Sequence, residues 1–191
     1  MAQPSNRAKL LQATLRCFDT LPVDKITVRA IAAEAGANPA SIIYHFGSRD
    51  ALLSAAAVEG LDRWLSELAV GLESVSGDDP GGRLIRVAAM AAATRTARAP
   101  LARAYLTAVA MSLHDERVRV TLADGFRRAR PVLAAVLGLG DDAGGGDAAG
   151  LLLAMFHGML VQTLLDDDLA IDGVRLESGL ARVHATLTGS S

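Results

Sequence analysis

Two short helical patterns follow one another almost without a gap in residues 24–53 of this 191-residue chain. Thr27 stands before the first pattern, where its hydroxyl can cap the free N–H groups of a first helical turn. Gly36 follows the last apolar residue, at the position that commonly takes a left-handed backbone. The apolar residues between them recur at i, i+3, i+4 and i+7, which is one face of a helix: Val28, Ile31, Ala32 and Ala35.

The second pattern begins directly after a turn of about three residues. Asn38 is suited to cap this helix, and Pro39 to fill its first position, where a missing N–H costs nothing. Ile42 and Phe46, four residues apart, then bury the second helix against the first. Because the turn is so short, the two helices must cross steeply, which predicts a helix-turn-helix.

This segment resembles the DNA-binding domain of the TetR family of bacterial transcriptional regulators. The resemblance implies an all-α fold of about nine helices, with a three-helix helix-turn-helix domain at 1–50 and a helical ligand-binding and dimerisation domain at 51–191. It also implies a cytoplasmic homodimer that binds a double-stranded DNA operator and responds to a small-molecule effector. The residues that match the family pattern are Thr27, Val28, Ile31, Ala32, Ala35, Gly36, Ile42, Tyr44, His45, Phe46, Ser48 and Leu53.

Composition agrees with a helical protein whose charge is unevenly distributed. Half of the residues (51%) are apolar and few are aromatic, so the core must consist of Ala, Leu and Val, which favours helix. Residues 1–50 carry six basic and four acidic side chains, whereas the remainder carries 13 and 17. This asymmetry has the sign expected for a DNA-binding head on an acidic body. The single Cys17 excludes an intrachain disulfide and fits a reducing cytoplasm.

Periodicity beyond the helix-turn-helix predicts helices throughout, with clear breaks at 76–82 and 138–146. The second break contains a G-x-G-x-x-A match, but no strand precedes it, so we interpret it as a linker. Pro131 is expected to kink or split the helix that contains it. The nine predicted helices are 7–20, 28–35, 39–46, 48–75, 82–98, 100–113, 115–137, 147 or 148 to 165, and 172–187.

Residues 148–165 are apolar over nearly the length of a membrane span. His157 and Gln162 lie inside this run and three aspartates close it, so a helix buried in a dimer interface explains it better than a membrane partner. The N-terminus has no apolar h-region and is not a signal peptide. Ala154 and Gly158 would let a facing helix approach closely. The predicted interface consists of Leu151, Ala154, Met155, Gly158, Val161 and Leu165.

DNA binding is the one chemistry that a set of residues supports. The N–H groups at two helix N-termini can bind phosphates. Arg49 stands where the family usually has lysine, which predicts another phosphate contact, so that Arg49→Ala would weaken binding to all sequences alike. The side chains Pro39, Ala40 and Ile43 offer only apolar contacts to thymine methyl groups. The predicted contact residues are Thr27, Val28, Arg29, Asn38, Pro39, Ala40, Ser41, Ile43, Tyr44, His45 and Arg49.

Arg29 is the long polar side chain that remains to read a base edge. It occupies a position that some family members use to contact a guanine, and we predict that it is the main base-edge donor. The alternative is an ion pair with Glu34 or Asp24, and the sequence leaves both open.

The resemblance also implies an effector cavity among the fourth to seventh helices. With few aromatic or polar groups available, a largely apolar effector is expected. The candidate lining residues, which are of types that more often serve as plain core, are Trp64, Met90, Tyr105, Met111, His114, Phe126, Met155 and Phe156.

Two other classes of function compete with a regulator. An enzyme is disfavoured because the four histidines are scattered and no H-E-x-x-H, C-x-x-C or G-x-S-x-G motif occurs; we expect no catalytic residue, metal or cofactor. The three adjacent aspartates at 166–168 are interpreted as a solvated loop. A helical dimer that sequesters a partner without binding an operator remains the alternative, because the recognition helix has so few polar side chains.

Overall fold

The computed structural model describes residues 5–73, 80–171 and 173–189, and for residues 73, 80, 95 and 96 it describes the backbone only. These residues form eight α-helices and two short 3-10 turns, at Val23–Lys25 and Asp167–Leu169, and no β-strand occurs among them. The predicted all-α fold is confirmed. The helices are α1 (Asn6–Thr20), α2 (Val28–Ala35), α3 (Ala40–Phe46), α4 (Arg49–Glu73), α5 (Pro80–Met111), α6 (Glu116–Leu137), α7 (Ala143–Leu165) and α8 (Gly173–Thr188).

The predicted helices 82–98 and 100–113 are one helix, and that part of the prediction was wrong. Pro100 lies inside α5 and removes one backbone hydrogen bond from it. No glycine or polar turn accompanies the proline, and the helix buries Leu101, Ala104 and Tyr105 directly after it. Burial of this apolar face keeps the helix intact. Pro131 likewise lies within a continuous α6. Of the predicted break at 76–82, residues 76–79 lie outside the described residues, and residues 80–82 already belong to α5. The predicted break at 138–146 is shorter than expected, because α7 begins at Ala143.

The small N-terminal core forms where α1 packs against α2 and α3. Leu10, Ile31 and Ile42 are completely buried, one from each helix. The Thr14 side chain is also buried, and its hydroxyl donates to the Leu10 carbonyl at 2.8 Å, so no polar group is left unpaired there. These contacts stabilise helices that are too short to be stable alone.

The chain divides into two compact units that do not coincide with the predicted domains. The first unit comprises Met1–Trp64 and Arg98–Ala129, and the second comprises Leu65–Ala97 and Arg130–Ser191. Within the first unit, Gly60 of α4 lets Leu101 of α5 approach closely; a Cβ on that glycine would lie 2.6 Å from Leu101 Cδ1. The N-terminal core therefore packs as one body with parts of α4, α5 and α6.

In the second unit, parts of α4, α5 and α6 contribute buried apolar side chains with α7 and α8. The helix α7 differs from the others. Within the part of the chain that is described, it is the one helix long and apolar enough to cross a membrane, and only 6% of its most apolar window is buried. It therefore exposes an apolar surface whose partner has to be explained. The buried side chains of this unit include Leu68, Leu72, Val87, Leu133, Leu137, Ala149 and Leu176.

Candidate nucleic-acid interface

The helix α2 begins and ends as its sequence predicts. The Thr27 hydroxyl accepts a hydrogen bond from the Ala30 N–H at 3.1 Å and so caps the first turn. Gly36 ends the helix with φ of 59° and ψ of 37°, which is the left-handed conformation that glycine adopts without strain. The predicted Thr27 cap and Gly36 turn are confirmed.

The recognition helix α3 starts one residue later than predicted. The Asn38 carboxamide oxygen accepts from the Ala40 N–H at 2.8 Å, so Asn38 does cap the helix. Pro39 has helical backbone angles but stands at the boundary, and the assigned helix begins at Ala40. A difference of one residue is usual at a helix end.

The side chains of α3 separate into a buried face and an exposed face. Ile42 is completely buried against the core, whereas Ile43 is 56% exposed and Tyr44 is 85% exposed. Pro39 and Ala40 are exposed as well. The predicted DNA-reading face therefore points outward, away from the interior. Of the remaining predicted contacts, Thr27 and Asn38 are exposed, and three are half-buried, namely Val28, Ser41 and His45.

Arg29 is exposed on α2, and both of its predicted ion-pair partners are otherwise engaged. Glu34 pairs with Arg16 of α1, and Asp24 lies 3.3 Å from the Lys25 ammonium. Arg29 makes no hydrogen bond or ion pair with any residue that the structure describes. This leaves its guanidinium available to a ligand outside the chain.

Arg49 has a different environment from the one that the resemblance to the family implies. Its Nε donates to the Ile26 carbonyl, its Nη2 donates to the Val23 carbonyl at 2.7 Å, and its Nη1 pairs with Asp50 at 2.8 Å. All three guanidinium nitrogens are therefore used within the fold, and they fasten the loop that precedes α2 to the first turn of α4. The phosphate contact predicted for Arg49 gains no support from this geometry.

Two basic residues that the sequence reasoning missed lie at the end of the recognition helix. The Arg7 guanidinium lies over the Phe46 ring, 5.2 Å from its centroid. Arg117 of α6 contacts Gly47, the residue that ends α3 with φ of 81°. The match to the family pattern could not find Arg117, because it lies far away in sequence and the contact exists only in the folded unit.

Rings also pack along the end of α3. The His45 imidazole meets the Tyr44 ring edge-on with centroids 4.9 Å apart, and the Phe46 ring is 6.4 Å from His45 on the other side. Edge-to-face packing of this kind favours a fixed arrangement of the rings. The exposed Tyr44 ring is therefore positioned by its contact with His45.

The candidate effector residues belong to both units. In the first unit Tyr105 is buried (4% exposed), and this burial raises the pKa of its phenol to about 12. His114 is exposed in the turn after α5, so its assignment to a cavity wall gains no support. The half-buried residues are Trp64, Met111 and Phe126 in the first unit and Met90, Met155 and Phe156 in the second.

A cleft of about 760 Å³ lies within the first unit. Its walls come from the end of α1, the loop held by Arg49, and the second half of α5. Met111 is the one candidate effector residue that lines it. The other lining residues are Phe18, Asp19, Thr20, Leu21, Pro22, Val23, Asp24, Arg49, Asp50, Leu53, Pro100, Arg103 and Thr107.

The predicted dimer residues lie on α7 and are largely exposed. Leu151 and Leu165 expose 75% and 77% of their surface, and Val161 exposes 38%. Ala154 is exposed and Met155 is half-buried. A Cβ on Gly158 would meet nothing within 4 Å, so the space beside it is open.

Comparisons with known proteins agree with this geometry. A family model described as bacterial regulatory proteins of the tetR family matches residues 10–56, which span α1 to the start of α4. The chain is 29% identical to the HTH-type transcriptional regulator BetI of Stenotrophomonas maltophilia (strain R551-3) over 140 residues, which cover 68% of this chain and 71% of that relative.

These matches identify residues 10–56 as similar to the helix-turn-helix segment of the tetR family. They support a DNA-binding transcriptional regulator with a helix-turn-helix, as the sequence predicts. Solved structures extend the likeness over the whole fold. The multidrug binding protein EbrR, complexed with imidazole, has a TM-score of 0.64 and 26% identity over 94% of this chain and 95% of that one. A transcriptional regulator from Saccharomonospora viridis, in complex with choline, has a TM-score of 0.62 and 20% identity over 92% and 93% of the two chains.

Proposed function

We propose that this chain is a TetR-family regulator, namely a homodimeric repressor that binds a near-palindromic operator and is released by a small, largely apolar effector. The outward face of α3, where Ile43 and Tyr44 are exposed while Ile42 is fully buried, carries the proposal. Together with the uncommitted Arg29, this face offers apolar contacts to thymine methyl groups and one guanidinium for a guanine.

The dimer proposal is supported by the exposed face of α7. Leu151, Ala154, Gly158, Val161 and Leu165 are spaced alternately by three and four residues, which places them in one stripe along the helix. A contiguous apolar surface of this kind is costly to leave in water. The helix α8 adds further exposed side chains, namely Val174, Val183 and Leu187.

A second copy of the chain is the occupant that this surface fits best. A two-fold axis would bring α7 and α8 of both subunits together as four helices, and the small Ala154 and Gly158 would allow close approach. A membrane fits less well, because Gln162 lies within the helix and three aspartates follow its end. The dimer would present two recognition helices about 34–36 Å apart to successive major grooves.

The effector proposal is supported by EbrR, a multidrug binding protein of the same fold whose structure is complexed with imidazole. An effector that binds one conformation of the dimer more tightly would shift the population away from the DNA-competent one. The helices α4, α5 and α6 each contribute residues to both units, so a change in their conformation can affect the helix-turn-helix.

Selection of a binding duplex from a random-sequence library tests the function directly. We expect the selected sequence to be a near-palindrome with half-sites one helical turn apart, bound by a dimer whose affinity falls steeply with salt. Tyr44→Ala is the matched loss-of-function control, because its side chain is exposed and its removal leaves the core intact. Failure to select any duplex at low salt would favour a sequestering module with the same fold.

A screen of small organic molecules against the selected complex tests the effector. Compounds that dissociate the duplex should also raise the melting temperature of the free protein. If no compound, apolar or charged, changes the affinity for DNA, then none of the screened compounds is an effector of this regulator.

A further inference from the structure

A basic side chain from outside the helix-turn-helix reaches the end of the recognition helix. Arg117 is the second residue of α6, and its guanidinium occupies the space that a Cβ on Gly47 would need; its Cζ lies 2.9 Å and its Nη2 3.7 Å from that position. Gly47 directly follows the last residue of α3. The contact therefore brings a charge from the C-terminal part of the chain to the reading head.

The start of α6 is held firmly in this position. The Asp115 carboxylate accepts hydrogen bonds from the backbone N–H groups of Arg117 (2.9 Å) and Val118 (3.2 Å). Val118 is completely buried within the first unit. Because the neighbouring residue is locked into the core, the exposed Arg117 has a fixed point of attachment next to Gly47.

The charge of Arg117 is not neutralised by the acidic groups beside it. Glu116 pairs with Arg119 on the next turn, and Asp115 is committed to backbone N–H groups. The Arg117 guanidinium makes no hydrogen bond or ion pair within the described part of the chain. An exposed guanidinium with no carboxylate partner is available to an anion from outside.

A second guanidinium, which has no carboxylate partner among the described residues, lies at the same end of α3. Arg7 is exposed and lies over Phe46, whose neighbour in sequence is Gly47. Arg7 and Arg117 thus contact two consecutive residues, one from the start of α1 and one from the start of α6. Together they place positive charge next to the exposed Tyr44 and the half-buried His45.

We propose that Arg117 binds a backbone phosphate of the operator, so that the DNA-binding surface extends from the helix-turn-helix onto α6. This rests on the proposed binding of duplex DNA. The guanidinium fork suits a phosphate, which accepts two parallel N–H bonds. The contact carries no sequence information and fixes how the head lies on the duplex.

The salt dependence of binding to the selected duplex tests the assignment. Each phosphate contact contributes about 0.9 to the slope of log K against log salt. Arg117→Gln should therefore reduce the slope by about 0.9 per protomer, or about 1.8 for a dimer. Arg117→Lys keeps the charge and should keep most of the slope. Arg127→Gln is the matched control, because Arg127 lies farther along α6 in an exposed ion pair with Asp124 and should leave the slope unchanged.

A support role for Arg117 would give a different result. If Arg117 only braces the end of α3, Arg117→Gln weakens binding while the slope stays that of the wild type, and the proposal is overturned. It is overturned equally if affinity and slope both stay unchanged. If the wild-type protein binds no selected duplex at low salt, it is the proposed function that fails, and a melting curve of each variant separates both cases from loss of folding.

Discussion

Substitution of Arg49 gives the most direct test of how the helix-turn-helix is held in place. Truncation to alanine removes the donors that hold the Val23 and Ile26 carbonyls and one partner of Asp50. The structure therefore predicts that Arg49→Ala destabilises the loop before α2 and the whole first unit with it. The resemblance to the family instead predicts a stable variant with one fewer phosphate contact. The first expectation is a loss of stability, and the second is a loss of affinity for DNA.

The size of the loss follows from the hydrogen bonds. A bond with a charged donor contributes about 1.5–3 kcal/mol when buried. Arg49 has two such bonds to carbonyls, but its side chain is 30% exposed, so water can replace part of each. The pair with Asp50, whose side chain is 40% exposed, adds less than about 1 kcal/mol. We expect a loss of about 2 kcal/mol, or about 4–8 °C in melting temperature for a chain of this size.

Chemical and thermal unfolding of Arg49→Ala, Arg49→Lys and Arg63→Ala measures this loss. Arg49→Lys keeps the charge but cannot form the fork that reaches both carbonyls, so we expect it to lose more than half of the same stability. Arg63 lies on the same helix in an exposed pair with Glu59, and its truncation should cost less than about 1 kcal/mol. The reasoning is refuted if Arg49→Ala melts like the wild type while its salt slope for DNA binding falls by about 0.9 per protomer.

Three further variants test other parts of the structure. Arg29→Ala should weaken the binding free energy by about 1–3 kcal/mol for duplexes that carry the preferred guanine in each half-site, and so relax the preference for that base. Binding to duplexes that differ only at that base measures the effect. An equal loss of affinity on every sequence would count against base reading. Replacing Leu151 and Leu165 by aspartate should remove about 2 kcal/mol of apolar burial per side chain in each protomer and give monomers in light scattering. The control is Leu113→Asp, because Leu113 is also exposed but lies outside α7 and α8. If the double variant is still a dimer, this interface is excluded. Burial lowers the pKa of His157 below its usual value of 6.5, although its hydrogen bond to the Leu153 carbonyl opposes the shift. The unfolded state then binds the proton more readily, so stability should be lost as pH falls from about 6.5 toward the lower folded pKa; His157→Gln should flatten this part of a melting-temperature profile, and an unchanged profile would contradict it.

The helix-turn-helix could be predicted from the sequence because each signal that defines it is local. Thr27 caps a helix whose apolar residues follow it within two turns, and Gly36 ends that helix one residue after the last of them. Asn38 lies two residues from the N–H that it caps. Hydrogen bonds and periodicities over such short separations are nearly independent of the rest of the chain, so they are visible in the sequence.

Features that depend on distant contacts were not visible in that way. Pro100 predicts a helix boundary when only its neighbours are considered, whereas burial of the following face keeps α5 continuous. The backbone carbonyls that bind Arg49 have no signature in sequence. Their distance from the guanidinium is set by how α1, α2 and α4 pack, and only the folded unit determines it.

The sequence by itself thus determined the helix-turn-helix with its resemblance to the TetR family, and the apolar stripe of α7, because short-range spacing specifies helices and their faces. The tertiary structure alone decided which charges remain available. It paired Glu34 with Arg16 and left Arg29 free of it, turned Arg49 inward, and brought Arg117 to Gly47. The physical reason is that a charge is neutralised by whatever lies within a few ångströms in space, and that neighbourhood is created by folding rather than by order along the chain.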